Sequence, residues 1–336
     1  MINLKNISKT FMVATRKRGT LAALFSLFRR EYREIHALED ISFSVEKGEI
    51  VGFIGPNGAG KSTAIKIMSG ILVPDSGECT ILGMCPWKSR RKYVSHIGVV
   101  FGQRTQLWWD VPVQDSLDLL KDIYRVDENR FKENLGELSE ILELTPLLSL
   151  PLRQLSLGQR MRCEIAASLL HDPEVLFLDE PTIGLDAVSK LAVRRIIEDL
   201  NRERNITVIL TSHDMDDIEA LTDRILLIGK GKLLYDGALG ALRSRYDRLR
   251  RLEIHYEGGG ISAGPSADAL TQLPEPAGVK LISQKDNRAV YEVDTSVIGV
   301  SAALRILGEK LDIRDMSAGS RPIEELIASL YREGNL

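Results

Sequence analysis

The sequence predicts an α/β protein with a mostly parallel sheet, followed by a small α+β domain. Two observations carry this. Short apolar runs, "IVGFIG" (50–55), "HIGVVFG" (96–102), "VLFLD" (175–179) and "TVILTS" (207–212), alternate with stretches of helical periodicity. Alternating strands and helices build βαβ units, and these give parallel sheets. After about residue 240 the pattern changes to charged, glycine-rich and then hairpin-like segments.

Taken in order, "INLKNIS" and "ISFSVEKGEI" read as opening strands, and "IVGFIG" as a buried one. A helical pattern runs from Ser62 to about Ser69. From about Val113 to Leu148 the pattern is again helical, with no strand-like run, and a further helix spans 187–203. "RILLIGKGKLLYDG" (224–237) reads as a hairpin turned by "GKG". "RSRYDRLRR" reads as a charged helix, and "EGGGISAGPSAD" (257–268) holds four glycines and a proline. "LEIHYE" alternates, "VKLISQKDNRAVYEVD" (279–294) reads as a hairpin with a polar turn, and helical patterns cover 297–311 and 322–332, with Pro322 in a first turn. The expected organisation is a domain over 1–240, with a helical subdomain at about 104–160. A linker over 241–262 and an accessory α+β domain over 263–336 follow.

Composition narrows the function. Apolar residues make up 44% and charged residues 27%, enough for a sizeable core. Lys plus Arg number 44 against 47 Asp plus Glu, a net charge of −3, so nothing suggests nucleic acid as the main partner. Three cysteines (Cys79, Cys85, Cys163) make no CxxC pair and no disulfide framework, as expected of a reducing cytosol. "MINLKNISKTF" does not read as a signal peptide, and no uninterrupted apolar run is long enough to span a bilayer.

"GPNGAGKST" follows a buried strand and opens a helix, as a phosphate-binding loop should. Backbone N–H groups of residues 57–61, at the positive end of the helix dipole, suit phosphate oxygens. The expected phosphate site is Gly55, Pro56, Asn57, Gly58, Ala59, Gly60, Lys61, Ser62 and Thr63. Lys61 would reach the β- and γ-phosphates of ATP, and the Ser62 hydroxyl would ligate Mg²⁺. In "VLFLDEP", Asp179 leaves the C-terminal end of a strand, where α/β sheets bind ligands, and an acid there can hold Mg²⁺. Glu180, one residue on, could polarise an attacking water. A solvated strand end also looks like this, and only the phosphate loop upstream gives the pair its reading.

"LRQLSLGQRMRCEIAASLL" contains a second serine–glycine turn before a helical pattern. Ser156 suits an N-cap for a helix from Arg160 onward. "GPNGAGKST", "LSLGQRMRCEIAASLL", "VLFLDEPTIGLD" and "TSHD", in this order and spacing, resemble an ABC-transporter ATP-binding subunit over residues 1 to about 240. The resemblance implies a P-loop NTPase fold with a mixed sheet core, an antiparallel β region and a helical subdomain. It implies a homodimer in which the turn Leu155, Ser156, Leu157, Gly158 and Gln159 serves the partner's ATP. By position it also implies Gln103 as a Mg²⁺ contact, His213 as a γ-phosphate contact that helps orient water, Asp186 as the loop linking the two sites, and Phe11 as the ring stacked on adenine. Leu157 departs from the family's glycine. Its Cβ disfavours φ > 0, so the turn should be right-handed or extended there.

Residues 15–35 exceed the usual loop. Leu21, Leu24, Phe25, Phe28, Tyr32 and Ile35 recur at helical spacing, and Arg16, Lys17, Arg18, Arg29, Arg30 and Arg33 against Glu31 and Glu34 give +4. A basic amphipathic helix suits an anionic membrane surface, and packing on its own domain or on a permease is the alternative. Trp108 and Trp109 are expected at a partner surface or in the helical subdomain core. This insertion and "FGQRTQLWWD" resemble the bacterial exporter branch of daunorubicin-resistance and viologen-exporter-like ATPases. The implied protein hydrolyses ATP for polytopic permease chains at the cytoplasmic face of the plasma membrane. An import ATPase is the runner-up. A soluble ABC ATPase acting on ribosome or DNA usually carries two nucleotide domains, zinc clusters or a long coiled coil, none of which is legible here.

Overall fold

The computed structural model describes residues 1–15, 31–102, 104–212, 214–246, 248–257, 274–321 and 325–327. Its contacts divide the chain into two compact units, Met1–Leu239 and Gly240–Leu336.

In the first unit β1 (Ile2–Thr15), β2 (Glu31–Val45) and β4 (Ser76–Ile81) form an antiparallel sheet in the order β2-β1-β4. A six-stranded sheet takes the order β5-β6-β7-β3-β8-β9 from β3 (Ile50–Ile54), β5 (Ile97–Phe101), β6 (Val175–Asp179), β7 (Thr207–Thr211), β8 (Arg224–Gly229) and β9 (Lys232–Ala238). Its strands run parallel except β9, which returns antiparallel to β8 through a turn with Lys230 and Gly231 at positive φ. Helices are α1 (Lys61–Met68), α2 (Arg90–Tyr93), α3 (Val113–Tyr124), α4 (Glu128–Ile141), α5 (Leu157–Leu169), α6 (Ala187–Arg204) and α7 (Met215–Leu221).

Why the central strands are unbroken apolar runs follows from their place: parallel strands are covered on both faces. Every residue of β7 is buried, as are Val175–Leu178 of β6. One cluster joins the two sheets, with Ile2, Leu4, Ile7, Ile41 and Phe43 against Phe53, Ile65, Ile67 and Phe177. The Phe43 and Phe53 rings meet at 6.0 Å. Helix α4 buries Phe131 and Leu138, donates Asn134 Nδ2 to the Leu170 carbonyl at 3.0 Å, and carries surface ion pairs from Arg130 to Asp172 and from Glu137 to Arg204, each at 2.5 Å.

The second unit holds α8 (Leu239–Tyr246), which begins at the boundary, and a four-stranded antiparallel sheet in the order β11-β12-β10-β13. Its strands are β10 (Leu249–Tyr256), β11 (Val279–Lys285), β12 (Arg288–Asp294) and β13 (Ile313–Ser320). Helix α9 (Val300–Gly308) supplies Ala303 and Leu307 to a core with Leu252, Ile254, Tyr291 and Val293.

Three expectations are corrected here. Residues 31–35 are strand, not amphipathic helix: Tyr32 pairs with Ala14 and Ile35 with Phe11 in the β1–β2 ribbon, and cross-strand pairing overrides their helical spacing. The remainder of that basic stretch, 16–30, lies outside the described residues. The proposed linker over 241–262 is occupied by α8 and β10, and β10 is an inner strand of the second sheet because Leu252 and Ile254 seed its core. The charged-helix reading of "RSRYDRLRR" therefore stops at Tyr246, and Arg250 and Arg251 are in strand. Strands β4 and β13 escaped the sequence. "IRDMSAGS" has no apolar alternation because almost all of it is exposed.

Candidate functional site

The glycine loop follows β3, and its backbone demands its glycines. Gly55 has φ 154° and a Cβ there would meet the Ile228 carbonyl oxygen at 2.2 Å. Gly60 has φ 115° and a Cβ would meet the Ala37 carbonyl oxygen at 2.4 Å. Pro56, Asn57 and Gly58 form an exposed rim, Ala59 and Gly60 are buried, and the Ala59 N–H closes the turn on the Pro56 carbonyl at 3.1 Å. The turn opens α1, so free N–H groups at its start face the loop. Lys61, 6% exposed, folds its Nζ back to the carbonyls of Gly55 (2.6 Å) and Pro56 (3.2 Å). Burial pushes its ammonium pKa down, against the pull of the Glu180 and Asp179 carboxylates. Thr63 is half-buried one residue beyond Ser62.

Strand register brings the acids to this loop. Phe101, Asp179 and Thr211 are level at the C-terminal ends of β5, β6 and β7. The Ser62 hydroxyl donates to Asp179 Oδ1 at 3.4 Å, and Thr211 Oγ1 donates to the same oxygen at 2.8 Å. Glu180 turns out of the strand with φ 58°, its N–H donating to the Thr211 carbonyl (3.1 Å) and to Thr211 Oγ1 (3.0 Å). Gly102 fits the same corner: a Cβ there would meet the Glu180 carbonyl oxygen at 2.1 Å. Gln103 and His213 lie outside the described residues, although their neighbours at both sides are placed.

Among the described residues no cluster of three or more His, Cys, Asp or Glu could hold a metal by itself. Ser62 Oγ with Asp179 Oδ1 is a hard-oxygen donor pair, which suits Mg²⁺ shared with phosphate oxygens rather than a protein-only cage. The donor set therefore fits the ion.

The second turn forms a separate N-terminus. Helix α5 begins at Leu157, not Arg160, because Ser156 and Gln159 close a capping box: Ser156 Oγ accepts from the Gln159 N–H (3.2 Å) and Gln159 Oε1 from the Ser156 N–H (2.9 Å). Leu157 is the first helical residue and is absent from the positive-φ set, so of the two conformations expected for it, right-handed or extended, it takes the right-handed one. Its Cδ2 lies 3.1 Å from where a Gly184 Cβ would stand. Gly158 is pressed onto α6, where a Cβ would meet Ser189 Oγ at 2.4 Å. Asp186 caps α6, accepting from the Ser189 N–H at 2.8 Å, and its hydrogen bonds from Ser189 hold its carboxyl below the usual range. Leu155 is half-buried behind the turn and Ser156 is exposed.

Phe11 is half-buried on β1, with Lys9 Nζ 5.8 Å from its ring centroid. Trp108 and Trp109 are 42% and 48% exposed, so neither is core. Arg160 lies over Trp109 at 5.5 Å, and the buried Glu164 on α5 accepts from Thr105 Oγ1 and the Gln106 N–H (3.1 Å). Sequence reasoning missed Thr211 and Glu164. The signal for each was a polar residue closing an apolar strand and an acid on the apolar face of a helix.

Comparison with known proteins agrees with this geometry. A family profile described as ABC transporter matches residues 38–183. The ABC transporter ATP-binding protein NatA of Bacillus subtilis (strain 168) is 32% identical over 237 residues, covering 70% of this chain and 95% of NatA. The bacitracin transport ATP-binding protein BcrA of Bacillus licheniformis is 34% identical over 223 residues, covering 66% of this chain and 72% of BcrA. The dimeric post-hydrolysis structure of the ATP-binding cassette MJ0796 bound to ADP and Pi superposes with a TM-score of 0.59 at 26% identity, covering 71% of this chain and 99% of that one. With strand ends converging on a glycine loop and a relative matched over nearly its whole length, the chain belongs to the ABC transporter ATP-binding subunits, a family of ATPases.

Proposed function

We propose that this ATPase powers an exporter, driving separate membrane permease chains from the cytoplasmic face of the plasma membrane, where it is held peripherally. The exporter direction rests on relatives named for resistance, such as the linearmycin resistance ATP-binding protein LnrL of Bacillus subtilis (strain 168). Among the described residues no helix is long and apolar enough to cross a membrane, which is consistent with permease chains elsewhere. Residues 15–35 are offered to the anionic membrane surface. Their described end is strand, with Tyr32, Arg33 and Ile35 exposed.

In this reading the loop from Gly55 to Thr63 holds the phosphates of ATP, and Lys61 leaves its carbonyl partners to meet them. Ser62, Asp179 and Gln103 would hold Mg²⁺, which supplies charge neutralisation at the phosphates. Glu180 takes the proton of the attacking water, with His213 orienting that water, and Phe11 stacks on adenine. The capped start of α5, with Ser156 exposed, faces the phosphate of a second copy's ATP. Asp186 joins the two sites. The observation that carries the proposal is the convergence of Ser62 and Asp179 at 3.4 Å beside Glu180.

The test is ATPase activity against protein concentration for wild type, Glu180→Gln and Ser156→Arg. Activity per chain should rise with concentration, vanish in each variant, and return in part when the two are mixed. The mixed dimer has one doubly damaged site and one intact site. Full, concentration-independent activity in Ser156→Arg would refute the shared site.

A further inference from the structure

The loop that carries Glu180, residues 180–186 after β6, is tied to Ser212, just beyond β7, by one buried carboxylate. Asp217 on α7 is fully buried. Its Oδ2 accepts from Thr182 Oγ1 and from Ser212 Oγ at 3.1 Å. Its Oδ1 accepts from Arg194 of α6, through Nε at 2.6 Å and Nη2 at 2.5 Å. Thr182 stands two residues beyond Glu180 and is 3% exposed, while Ser212 directly precedes position 213 and is 2% exposed. The chain on the far side of position 213 is held as well. The Asp214 N–H donates to Ser212 Oγ at 3.0 Å, and the Asp214 carboxylate pairs with Lys190 of α6.

We propose that Asp217 is a positioning residue for hydrolysis, holding the loop that carries Glu180 in fixed relation to Ser212, just beyond the end of β7, through Thr182 and Ser212. This rests on the reading of Glu180 as the group that activates water. β6 and β7 are already level at Asp179 and Thr211, so the strands fix where the loops start. Past the strand ends the Glu180 N–H still reaches Thr211, and further along the two loops Asp217 supplies a second tie point at Thr182 and Ser212. Its two oxygens divide the work: one is neutralised by a guanidinium, which leaves the other to two hydroxyls. A buried carboxylate with four donors is rigid in a way that one solvated hydrogen bond is not, because breaking any arm leaves an unpaired group out of water. The geometry at stake is the placement of the Glu180 base relative to the strand ends, and a misplacement of about 1 Å costs on the order of a hundredfold in rate. ATP binding draws on the glycine loop and Ser62, which Asp217 does not touch, so the effect falls on turnover.

The experiment compares wild type with Thr182→Val, Thr182→Ser, the charge-paired variant Asp217→Asn with Arg194→Gln, and Glu180→Gln as reference. Readouts are kcat, KM for ATP, and equilibrium binding of a fluorescent ATP analogue. Thr182→Val removes one hydroxyl at constant shape and should lower kcat roughly ten- to a hundredfold with KM and analogue binding unchanged. Thr182→Ser should restore kcat. The paired variant removes both charges together, so no lone ion is left buried, and its kcat should fall likewise. If Thr182→Val keeps wild-type kcat, or if kcat and analogue binding fall together, Asp217 is only structural and the inference is overturned. The Thr182 pair decides the matter even where the charge variant does not fold. Wild-type turnover in Glu180→Gln would instead remove the reading beneath it.

Discussion

The Ser62 hydroxyl, first turn of α1, lies 3.4 Å from Asp179 at the end of β6, across the intervening β7. Thr211 of that middle strand donates to the same carboxylate oxygen at 2.8 Å and receives the Glu180 N–H. One threonine thus holds the Asp179 carboxylate and the backbone at Glu180. Asp179→Asn should lower Mg²⁺-dependent turnover by about 10²–10³-fold, the usual loss when charge stabilisation at the reacting phosphate is removed. Thr211→Val should cost about tenfold, the worth of a hydrogen bond to a charged group. Steady-state ATPase assays across a Mg²⁺ titration check both, and Thr211→Val at wild-type activity would separate the threonine from the site.

Gly158 sits where helices α5 and α6 touch, and a methyl there would press on Ser189 Oγ at 2.4 Å and Ser189 Cβ at 2.8 Å. Gly158→Ala should therefore push the capped turn away from Asp186 and reduce ATPase activity at least tenfold, taking overpacking to cost about 1–3 kcal/mol. Removing the opposing side chain with Ser189→Gly in the same molecule should recover activity. A double variant as impaired as the single one would show that Gly158 matters for a reason other than this contact.

The phosphate loop, the acids and the parallel strands were legible because each is a local pattern: glycines at forced φ, an acid closing an apolar run, helices between strands. What was not legible depends on partners distant in sequence. Ser62 and Asp179 are 117 positions apart, and Thr211 became meaningful only once β7 lay between them. Residues Glu31–Ile35 carried a helical spacing that the β1–β2 pairing overruled, and the "linker" hid β10, whose two core residues, Leu252 and Ile254, flank the charged Glu253. The helix start at Leu157 was also missed by three residues, because the capping box needs Gln159 as well as Ser156.

His171 offers a pH test. Its ring stacks on Tyr124 at 3.9 Å, Nε2 meets the Ile97 carbonyl at 2.9 Å, and Nδ1 is buried without a partner. Burial lowers its pKa to about 4, against opposing pulls from the Ile97 carbonyl and Asp172. An imidazole whose folded pKa is depressed binds its proton more readily when unfolded. Its contribution is thus complete above about 6.5 and is lost as pH falls toward 4. Partial exposure limits the loss to roughly 1–3 kcal/mol. Melting temperatures of wild type and His171→Gln should differ in slope between these two pH values, the wild type falling more steeply, and coincide in slope above 7.

Glu164 presents a different case, a buried carboxylate on the helix that begins at the capped turn. It accepts from Thr105 Oγ1 and the Gln106 N–H, two and three residues beyond position 103, and Gln106 Nε2 returns to the Glu164 carbonyl at 3.1 Å. Burial pushes its carboxyl pKa up while these bonds oppose the shift. The loop it holds presents Trp108 and Trp109 to solvent, with Arg160 of the same helix over Trp109. Glu164→Leu keeps a side chain of similar bulk but strands the Gln106 N–H, so it should destabilise the first unit by about 2–3 kcal/mol and shift tryptophan emission to longer wavelength. Glu164→Gln retains an acceptor and should lose less than half as much. Equal losses in both variants, with unchanged emission, would show that the carboxylate fills space without holding the loop.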